Sequence, residues 1–319
     1  MRYGKVIAGY GLILALYLAV LLLADKSKGF FEYLPTALAQ LPVLMSFALL
    51  SYGLRYARWY LLLKWSGHPC SVLSGWWAYL SGFALTATPG KVGELLRIRY
   101  FGRLGISADR VMSAFVFERA FDLAVVFVLA TVFIADEQMF WLAFAFVSFF
   151  LSVLLLAGLY PEVLKRLSII CAQKQWLQTS RLFAFLANVF GGCRAWIRLG
   201  PIVISLVLGS AAWSLTAFAF IYLLDHLNIH VPLFAAFSTY PMAMLAGAAS
   251  MLPGGVGSTE AAIVLQLKWH GVDTTSALWV AVVIRLGTMW FAVICGLMAI
   301  FFQEVLFRRD QKIGRRWGC

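Results

Sequence analysis

The chain has 319 residues, of which 62% are hydrophobic and only 13% are charged, and its formal net charge is +12. A water-soluble domain carries about a quarter charged residues because its surface faces solvent, so this composition excludes a soluble fold. Basic residues beside apolar segments are typical of the cytoplasmic side of a membrane protein, so we do not predict a nucleic-acid partner. The five cysteines form no CxxC pair, and we predict neither a metal site nor a cofactor.

Long apolar segments occur along most of the chain. A bilayer core of about 30 Å is crossed by about 20 helical residues. The sequence predicts an all-α polytopic membrane protein that forms one membrane domain over 1–319. A basic segment at 162–199 is predicted to lie on the cytoplasmic surface as interfacial helices. About six transmembrane helices are predicted, near residues 5–23, 41–63, 111–134, 139–160, 201–224 and 276–302.

Two further apolar stretches, 74–104 and 233–269, are each interrupted by a Pro-Gly motif. Proline removes a helix donor and glycine loosens the backbone, so each motif ends one helix and begins another. Irregular backbone is not tolerated against lipid and must face protein or a wet cavity. We therefore predict two re-entrant helical hairpins whose tips meet inside the protein. The tip residues are Thr88, Pro89, Gly90 and Gly93 in the first hairpin, and Pro253, Gly254, Gly255 and Gly257 in the second.

The distribution of basic residues predicts the orientation. With both termini in the cytoplasm, only Lys26, Lys28, Lys268 and Arg285 of the 26 Lys and Arg residues fall away from the cytoplasmic side. Loops on that side of a membrane carry an excess of Lys and Arg. The first hairpin then enters from the cytoplasm and the second from the periplasm of a bacterial inner membrane.

The two hairpins share an ordered set of residues. The motif PGxVG begins at Pro89 and again at Pro253, at an offset of 164, and a two-residue insertion follows in the second copy. An ordered set found twice is evidence of duplication. Segments 41–134 and 201–302 are then predicted to form an inverted-topology repeat, a plan that secondary transporters use around a midplane site. At an offset of 166, three more pairs agree: Glu94 with Glu260, Gly105 with Gly271, and Arg119 with Arg285.

The duplicated charges predict a binding site. Glu94 and Glu260 begin the returning half-helices, and Arg119 and Arg285 lie in the spans that follow. A charge inside a bilayer is costly and should face a partner or a cavity. The half-helix N-termini also point N–H groups and positive dipole ends inward. We predict that these four residues and Lys91 bind an anion such as a phosphate, and we predict no catalytic residue.

A purely structural alternative exists for the same residues. Glu94 and Glu260 would cap their half-helices, since carboxylates favour helix N-termini. Arg119 would pair with Asp122 at i,i+3 on its own helix. Glu118 and Asp122 share a helix face, and we interpret both as solvated near the cytoplasmic end of the helix.

The motifs TPGKVGE, at Thr88–Glu94, and LPGGVGSTE, at Leu252–Glu260, resemble the transmembrane domain of lysylphosphatidylglycerol synthases. This is the flippase-like domain of the multiple peptide resistance factor, and the resemblance covers nearly the whole chain. It implies lipid translocation, and stand-alone members are linked to hopanoid or glycolipid pathways. One archaeal relative has been called a glycosyltransferase. No aminoacyl-transferase domain is expected in this chain, so synthase activity is not predicted.

Three functional hypotheses follow. The first is a flippase that moves an anionic lipid, either a phospholipid or a polyprenyl-phosphate-linked glycolipid. The second is an intramembrane glycosyltransferase that uses a polyprenyl-phosphate sugar, although the sequence contains no DxD motif. The third is a non-catalytic membrane partner of a lipid-modifying enzyme, which would bind through the basic segment 162–199. A structural role of this kind should tolerate replacement of the hairpin glutamates better than a transporter does.

Overall fold

The computed structural model describes residues 35–36, 38–86, 89–131 and 137–316. Within these ranges the chain forms helices and no strands, so the predicted all-α class is confirmed there. The predicted first span, 5–23, lies outside the described residues.

The first half contains a long helix, a broken hairpin and a second long helix. Ser71 begins the hairpin, because its hydroxyl accepts a hydrogen bond from the Ser74 backbone N–H at 3.1 Å. We predicted that the returning half-helix starts at Glu94, but it starts earlier as a 3₁₀ turn, a common form of short helix ends. The elements are α1 (Leu41–Trp65), α2 (Val72–Ser81), 3₁₀ turns at Gly82–Leu85 and Pro89–Leu96, α3 (Arg97–Gly102) and α4 (Ala108–Thr131).

The middle of the chain forms α5 (Glu137–Leu159), α6 (Pro161–Gln173) and α7 (Leu177–Cys193), followed by a 3₁₀ turn at Arg194–Trp196. The chain bends by 78° between α5 and α6. Pro161 stands at the start of α6, where its missing N–H costs nothing. Helices α6 and α7 pack against each other over the segment that we predicted to be interfacial.

The second half also contains a long helix, a segment of helix interrupted at a Pro-Gly motif, and a further long helical segment. Gly254, Gly255 and Gly257 have φ values of +63°, +64° and +86°, a conformation that side chains other than glycine rarely adopt. This is why the helix breaks at this motif. The elements are α8 (Leu199–His226), α9 (Leu233–Ala249), a 3₁₀ turn at Pro253–Gly255, α10 (Ser258–Trp269), α11 (Thr274–Arg285), a π turn at Leu286–Trp290 and α12 (Phe291–Arg316).

Two of the described helices are both long enough and apolar enough to cross a membrane. They are Leu199–His226, with 28 residues, and the continuous helix Thr274–Val305, with 32. A third crossing is obtained if Val147–Leu159 and Pro161–Gln173 count as one bent span. Helices α1 and α4 have 25 and 24 residues but carry charged side chains, so their membrane crossing stays a prediction.

The two halves pack into one another. The first hairpin lies against α12, the last helix of the second half, and α9 of the second hairpin lies against α4, the last helix of the first half. Helices α1 and α8 also pack together, and the turn at Pro89–Leu96 contacts the turn at Pro253–Gly255. The two Pro-Gly breaks therefore meet, as the sequence predicted.

One glycine is required for this packing. A Cβ on Gly296 of α12 would collide with the backbone of Phe83 and Ala84 in the first hairpin. Only a residue without a side chain lets the hairpin approach the helix this closely.

Candidate functional site

A network of buried charges lies where α1, the first hairpin and α4 meet. Its centre on α4 is Asp122, whose carboxylate accepts hydrogen bonds from Arg55 Nη1 at 2.8 Å and Arg58 Nη2 at 2.7 Å. These distances are typical of strong charge-assisted hydrogen bonds. The members of the network are Arg55, Arg58, Glu94, Arg97, Glu118, Arg119 and Asp122.

The hairpin joins this network through Arg97, which contacts two carboxylates. Its Nη1 lies 3.2 Å from Glu118 Oε2, and its Nη2 lies 3.3 Å from Glu94 Oε2. The Arg97 guanidinium also stacks on the ring of Tyr79, 4.0 Å from its centroid, and Tyr79 donates its hydroxyl hydrogen to Glu118 at 2.9 Å. The first returning half-helix is thus fastened to α4 and to α2, the first helix of its own hairpin.

Arg119 is held more loosely than the other arginines of the network. Its Nη2 lies 3.5 Å from Glu94, 3.4 Å from Glu118 and 3.6 Å from Asp122, and its side chain is 24% exposed. The side chains of Arg58 and Arg97 are each 1% exposed. Arg119 is therefore the arginine with the most freedom to leave its carboxylates.

The second half contains a smaller charged site. Arg285 Nε donates to Glu260 Oε1 at 2.8 Å, and Arg285 Nη2 donates to the carbonyl oxygen of Gly254 at the hairpin tip. The other oxygen of Glu260 accepts from the Gly257 backbone N–H at 2.7 Å. This one pair thus caps α10 and ties the tip of the second hairpin to α11.

Two cavities adjoin these sites. A polar cavity of about 110 Å³ lies between the two halves and is lined by Arg55, Glu94, Arg119 and Arg285 among others. A more apolar cavity of about 210 Å³ lies between α4 and the second hairpin. Arg119, Trp213, Met244 and Gly254 line both cavities, so the two are neighbours.

The described charges do not balance. The first network holds four arginines and three carboxylates, and the second holds one of each, so the described groups carry one excess positive charge. A buried charge without compensation is strongly unfavourable. An anion that enters the polar cavity would supply the missing negative charge. Among the described residues, no group of three or more His, Cys, Asp or Glu is placed to hold a metal.

The structure brings the predicted charged residues together. Glu260 pairs with Arg285, and Glu94 lies beside Arg119, as predicted. The capping alternative also holds for Glu260, since the same carboxylate does both. Three of these side chains line the polar cavity, whereas Glu260 does not. The side chain of Lys91 and the tip residue Thr88 lie outside the described residues.

One interpretation from the sequence was wrong. Glu118 and Asp122 are not solvated near a helix end: they are 0% and 4% exposed and lie at the centre of the first network. The sequence analysis also missed Arg55, Arg58 and Arg97. Arg55 and Arg58 stand three residues apart in a predicted apolar span, and that placement was the available signal because intramembrane charges seek partners.

The described residues thus define a helical membrane protein whose two broken hairpins carry buried charges to a pair of adjoining cavities. The chain belongs to the family described as the lysylphosphatidylglycerol synthase TM region, whose model matches residues 6–296. The resemblance drawn from the TPGKVGE and LPGGVGSTE motifs is therefore confirmed. No curated protein matches the chain.

Proposed function

We propose that this protein moves an anionic, phosphate-bearing lipid between the leaflets of a bacterial inner membrane. The observation that carries the proposal is the buried network, whose described side chains hold one positive charge in excess beside a cavity. A phosphate of a phospholipid or of a polyprenyl-phosphate-linked glycolipid would neutralise that charge. Membership of a family named for a lipid supports a lipid rather than a water-soluble anion as the ligand.

In this proposal the two hairpins are re-entrant, and segments 41–134 and 201–302 form an inverted repeat within one membrane domain. Both termini and the segment 162–199 are cytoplasmic. The reciprocal packing of each hairpin on the last helix of the other half supports this arrangement. So does the matching backbone of Gly105 and Gly271, whose φ values are +82° and +81°. Transporters with such repeats bind substrates near the midplane, between broken helices.

Arg119 is the proposed contact for the lipid phosphate. Its distances of 3.4 to 3.6 Å to three carboxylates exceed the range of about 2.7–2.9 Å that strong charge-assisted hydrogen bonds show. A phosphate in the cavity therefore competes with weak contacts. When the lipid leaves, the carboxylates recover the guanidinium, and the site returns to its empty state.

The glycosyltransferase alternative finds no support in this geometry. Such an enzyme needs a carboxylate that accepts a proton from the acceptor substrate. Each carboxylate of the described site is paired with arginine, so none of the four is available as a base: Glu94, Glu118, Asp122 and Glu260. No described contact favours the non-catalytic partner over the transporter either.

The test is lipid movement by the purified chain in vesicles, with fluorescent phosphatidylglycerol and phosphatidylcholine and a leaflet-specific quencher. We expect phosphatidylglycerol to move faster. Glu94→Gln raises the charge of the site by one, so the variant should hold the anionic lipid more tightly and move it at least about tenfold more slowly. The matched control is Glu162→Gln, whose side chain is 70% exposed and pairs only with Lys165 among the described residues. Movement of no anionic lipid by folded wild-type protein contradicts the proposal.

A further inference from the structure

The two helices in the middle of the chain, α6 and α7, carry apolar side chains that stay exposed in the described fold. On α6 these are Val163, Leu167 and Ile170, whose intervals of four and three residues place them in one stripe, the α6 stripe. On α7, Leu182 and Phe185 stand three residues apart and are exposed as well. An exposed apolar surface rimmed by polar residues marks contact with a protein or with a membrane.

The remaining faces of α6 are different. Ser168 Oγ donates to the carbonyl oxygen of Ser180 on α7 at 2.9 Å, so the face with Ser168 packs inward. Glu162, Lys165 and Ile169 stand at intervals of three and four residues and share a third face. Glu162 and Lys165 pair with each other at 3.0 Å and are both exposed. The exposed surface of α6 is therefore amphipathic, with an apolar stripe on one side and a charged face on the other.

The apolar surface of α6 continues into α5 across the bend between them. Leu156, Leu159 and Tyr160 are exposed at the end of α5 and just after it, and Val163 follows them on α6. We predict that α5 crosses the membrane, and α6 is bent from it by 78°, so α6 runs close to the membrane plane. Lipid around the end of α5 therefore reaches the α6 stripe. Tyr160 at the bend suits the aromatic belt of a membrane interface.

The charge of these two helices is complementary to an anionic surface. Within 161–193 the sequence contains one carboxylate, on Glu162, against four basic residues. Trp176 is exposed at the tip between the helices, where the Lys174 ammonium lies 5.7 Å from its ring centroid. Anionic lipids of the cytoplasmic leaflet attract basic segments, and tryptophan is enriched at that depth. The four basic residues are all exposed: Lys165, Arg166, Lys174 and Arg181.

The pair of helices is attached to the rest of the fold by α7. Ser113 Oγ of α4 donates to the carbonyl oxygen of Val189 at 2.8 Å, and Arg110 Nη1 donates to that of Gly192 at 2.9 Å. A Cβ on Gly192 would collide with the Ser113 side chain, so only glycine allows this approach. The α6 stripe therefore has a fixed position relative to α4.

We propose that α6 and α7 dock on the anionic surface of the cytoplasmic leaflet, with the α6 stripe in the apolar layer. Arg166 and Lys174 then lie among the headgroups, and the face with Glu162 and Lys165 is turned to water. Basic amphipathic helices bind membrane surfaces in this way. The sequence predicted only that 162–199 is interfacial, whereas the exposures on α6 distinguish the face that enters lipid. With lipid as the occupant, this surface does not receive a lipid-modifying enzyme.

The test compares two neighbouring isoleucines in the full-length chain. Ile170 belongs to the α6 stripe and Ile169 to the charged face, and they are 48% and 58% exposed. Ile169→Cys and Ile170→Cys, each in a chain whose five native cysteines are replaced by alanine, receive a nitroxide label in lipid nanodiscs. At position 170 we expect collisions with lipid-soluble oxygen to exceed those with a water-soluble nickel chelate by at least about threefold, and the reverse at 169.

The outcomes at position 170 separate the occupants of the stripe. Equal access of the nickel chelate to positions 169 and 170 overturns the proposal, because both faces of α6 are then in water. Shielding of position 170 from both reagents also overturns it, because a protein surface then covers the stripe. Thermal unfolding in detergent verifies that the labelled variants fold.

The charge of the leaflet is tested on the chain with its native cysteines, by hydrogen exchange in nanodiscs of phosphatidylcholine with and without about 30% phosphatidylglycerol. Backbone amides of the tip, 174–177, should exchange at least about threefold more slowly with phosphatidylglycerol, because the basic residues hold the tip on the surface. Lys174→Gln with Arg181→Gln should lose this difference. The loop 226–232 contains no Lys or Arg and should exchange equally in both.

Equal exchange of the tip in the two lipids overturns the anionic leaflet as the occupant, whether or not the labelled variants fold. Neither readout measures lipid movement, so a failure here leaves the proposed function intact. Conversely, wild-type protein that moves no lipid but shows the expected difference between positions 169 and 170 contradicts only the proposed function.

Discussion

The two hairpin sites share a motif and a spacing, but they differ in nearly everything around it. In the second half, Arg285 makes a direct bond of 2.8 Å to Glu260 and also holds the hairpin tip. In the first half, Arg119 stays at 3.5 Å from Glu94 and belongs to a network of seven charged side chains. When the two halves are aligned at the offset of 166, three charged residues of the first site correspond to uncharged residues of the second. Arg97 aligns with Ile263, Glu118 with Ile284, and Asp122 with Thr288.

This difference indicates separate roles for Arg119 and Arg285, which occupy the same position relative to the two motifs. Ile263 and Ile284 are both fully buried, so the second site is a compact apolar core that encloses one ion pair. In the first site the aligned positions carry charged side chains, and Arg119 is partly exposed to a cavity. We therefore expect Arg285 to act mainly on folding and Arg119 mainly on ligand binding.

The largest expected effect is at Arg285. Arg285→Ala leaves the Glu260 carboxylate buried without its partner and releases the hairpin tip, which should reduce the free energy of unfolding by about 3–5 kcal/mol. Thermal unfolding in detergent measures this change. The double variant Arg285→Ala with Glu260→Gln should recover part of the loss, because the charge is then removed as well. A single variant as stable as wild type contradicts the structural role.

Arg119→Ala should show the opposite pattern. Its three carboxylates keep other arginines as partners, so the stability loss should stay near about 1 kcal/mol. Lipid movement in vesicles should fall by at least about tenfold, since a charge-assisted contact to phosphate is lost. Arg99→Ala serves as the control, because Arg99 is 45% exposed and contacts Glu304 away from both cavities. Normal lipid movement in folded Arg119→Ala would place the ligand elsewhere.

Gly296→Ala tests the contact between the halves. The added Cβ meets the backbone of Phe83 and Ala84, which cannot move aside as a side chain can, so we expect a loss of about 1–3 kcal/mol. Gly53→Ala on α1 is the matched control. Its Cβ meets nothing within 4 Å, and alanine there should stabilise the helix by about 1 kcal/mol. Similar melting temperatures for the two variants would show that the hairpin adapts easily.

The smallest expected effect on stability is at Asp273. This residue aligns with Ser107 of the first half at the offset of 166. Its carboxylate accepts a hydrogen bond from the Ser276 backbone N–H at 2.9 Å and caps α11. Asp273→Ala should reduce the free energy of unfolding by about 1 kcal/mol. The matched Asp273→Asn variant keeps an acceptor without the charge. If both variants unfold at the wild-type temperature, the cap contributes nothing to the second half.

The same residue predicts a pH dependence. Hydrogen bonds from Ser276 hold the pKa of Asp273 below its ordinary value. A carboxyl with a lower pKa in the folded protein stabilises it above the pKa of the unfolded chain, and this contribution is lost as the pH falls through the folded pKa. The stability difference between wild type and Asp273→Asn should therefore shrink in acid. A difference that does not change with pH contradicts this assignment.

The sequence predicted the features that depend on local chemistry and on a motif that occurs twice. The helix breaks follow from proline and glycine, and the pairs Glu94–Arg119 and Glu260–Arg285 follow from a spacing that occurs twice. The rest of the first network did not follow, because Arg55 comes from a different helix and reaches Asp122 only through tertiary packing. Helix spacing alone does not show which face of α4 is buried when apolar residues surround it on all sides.

The π turn at Leu286–Trp290 lies between two parts of one long helix that pack into different cores. One residue added to an α-helix rotates everything after it by about 100°, since a turn takes 3.6 residues. Before the turn, residues such as Val280 and Ile284 belong to the core of the second half. After it, Ala299 and Ile300 belong to the core of the first half. Deletion of a single residue within the turn would swing Gly296 away from the first hairpin. It would thereby remove one of the contacts between the halves, while α1 and α8 still pack together.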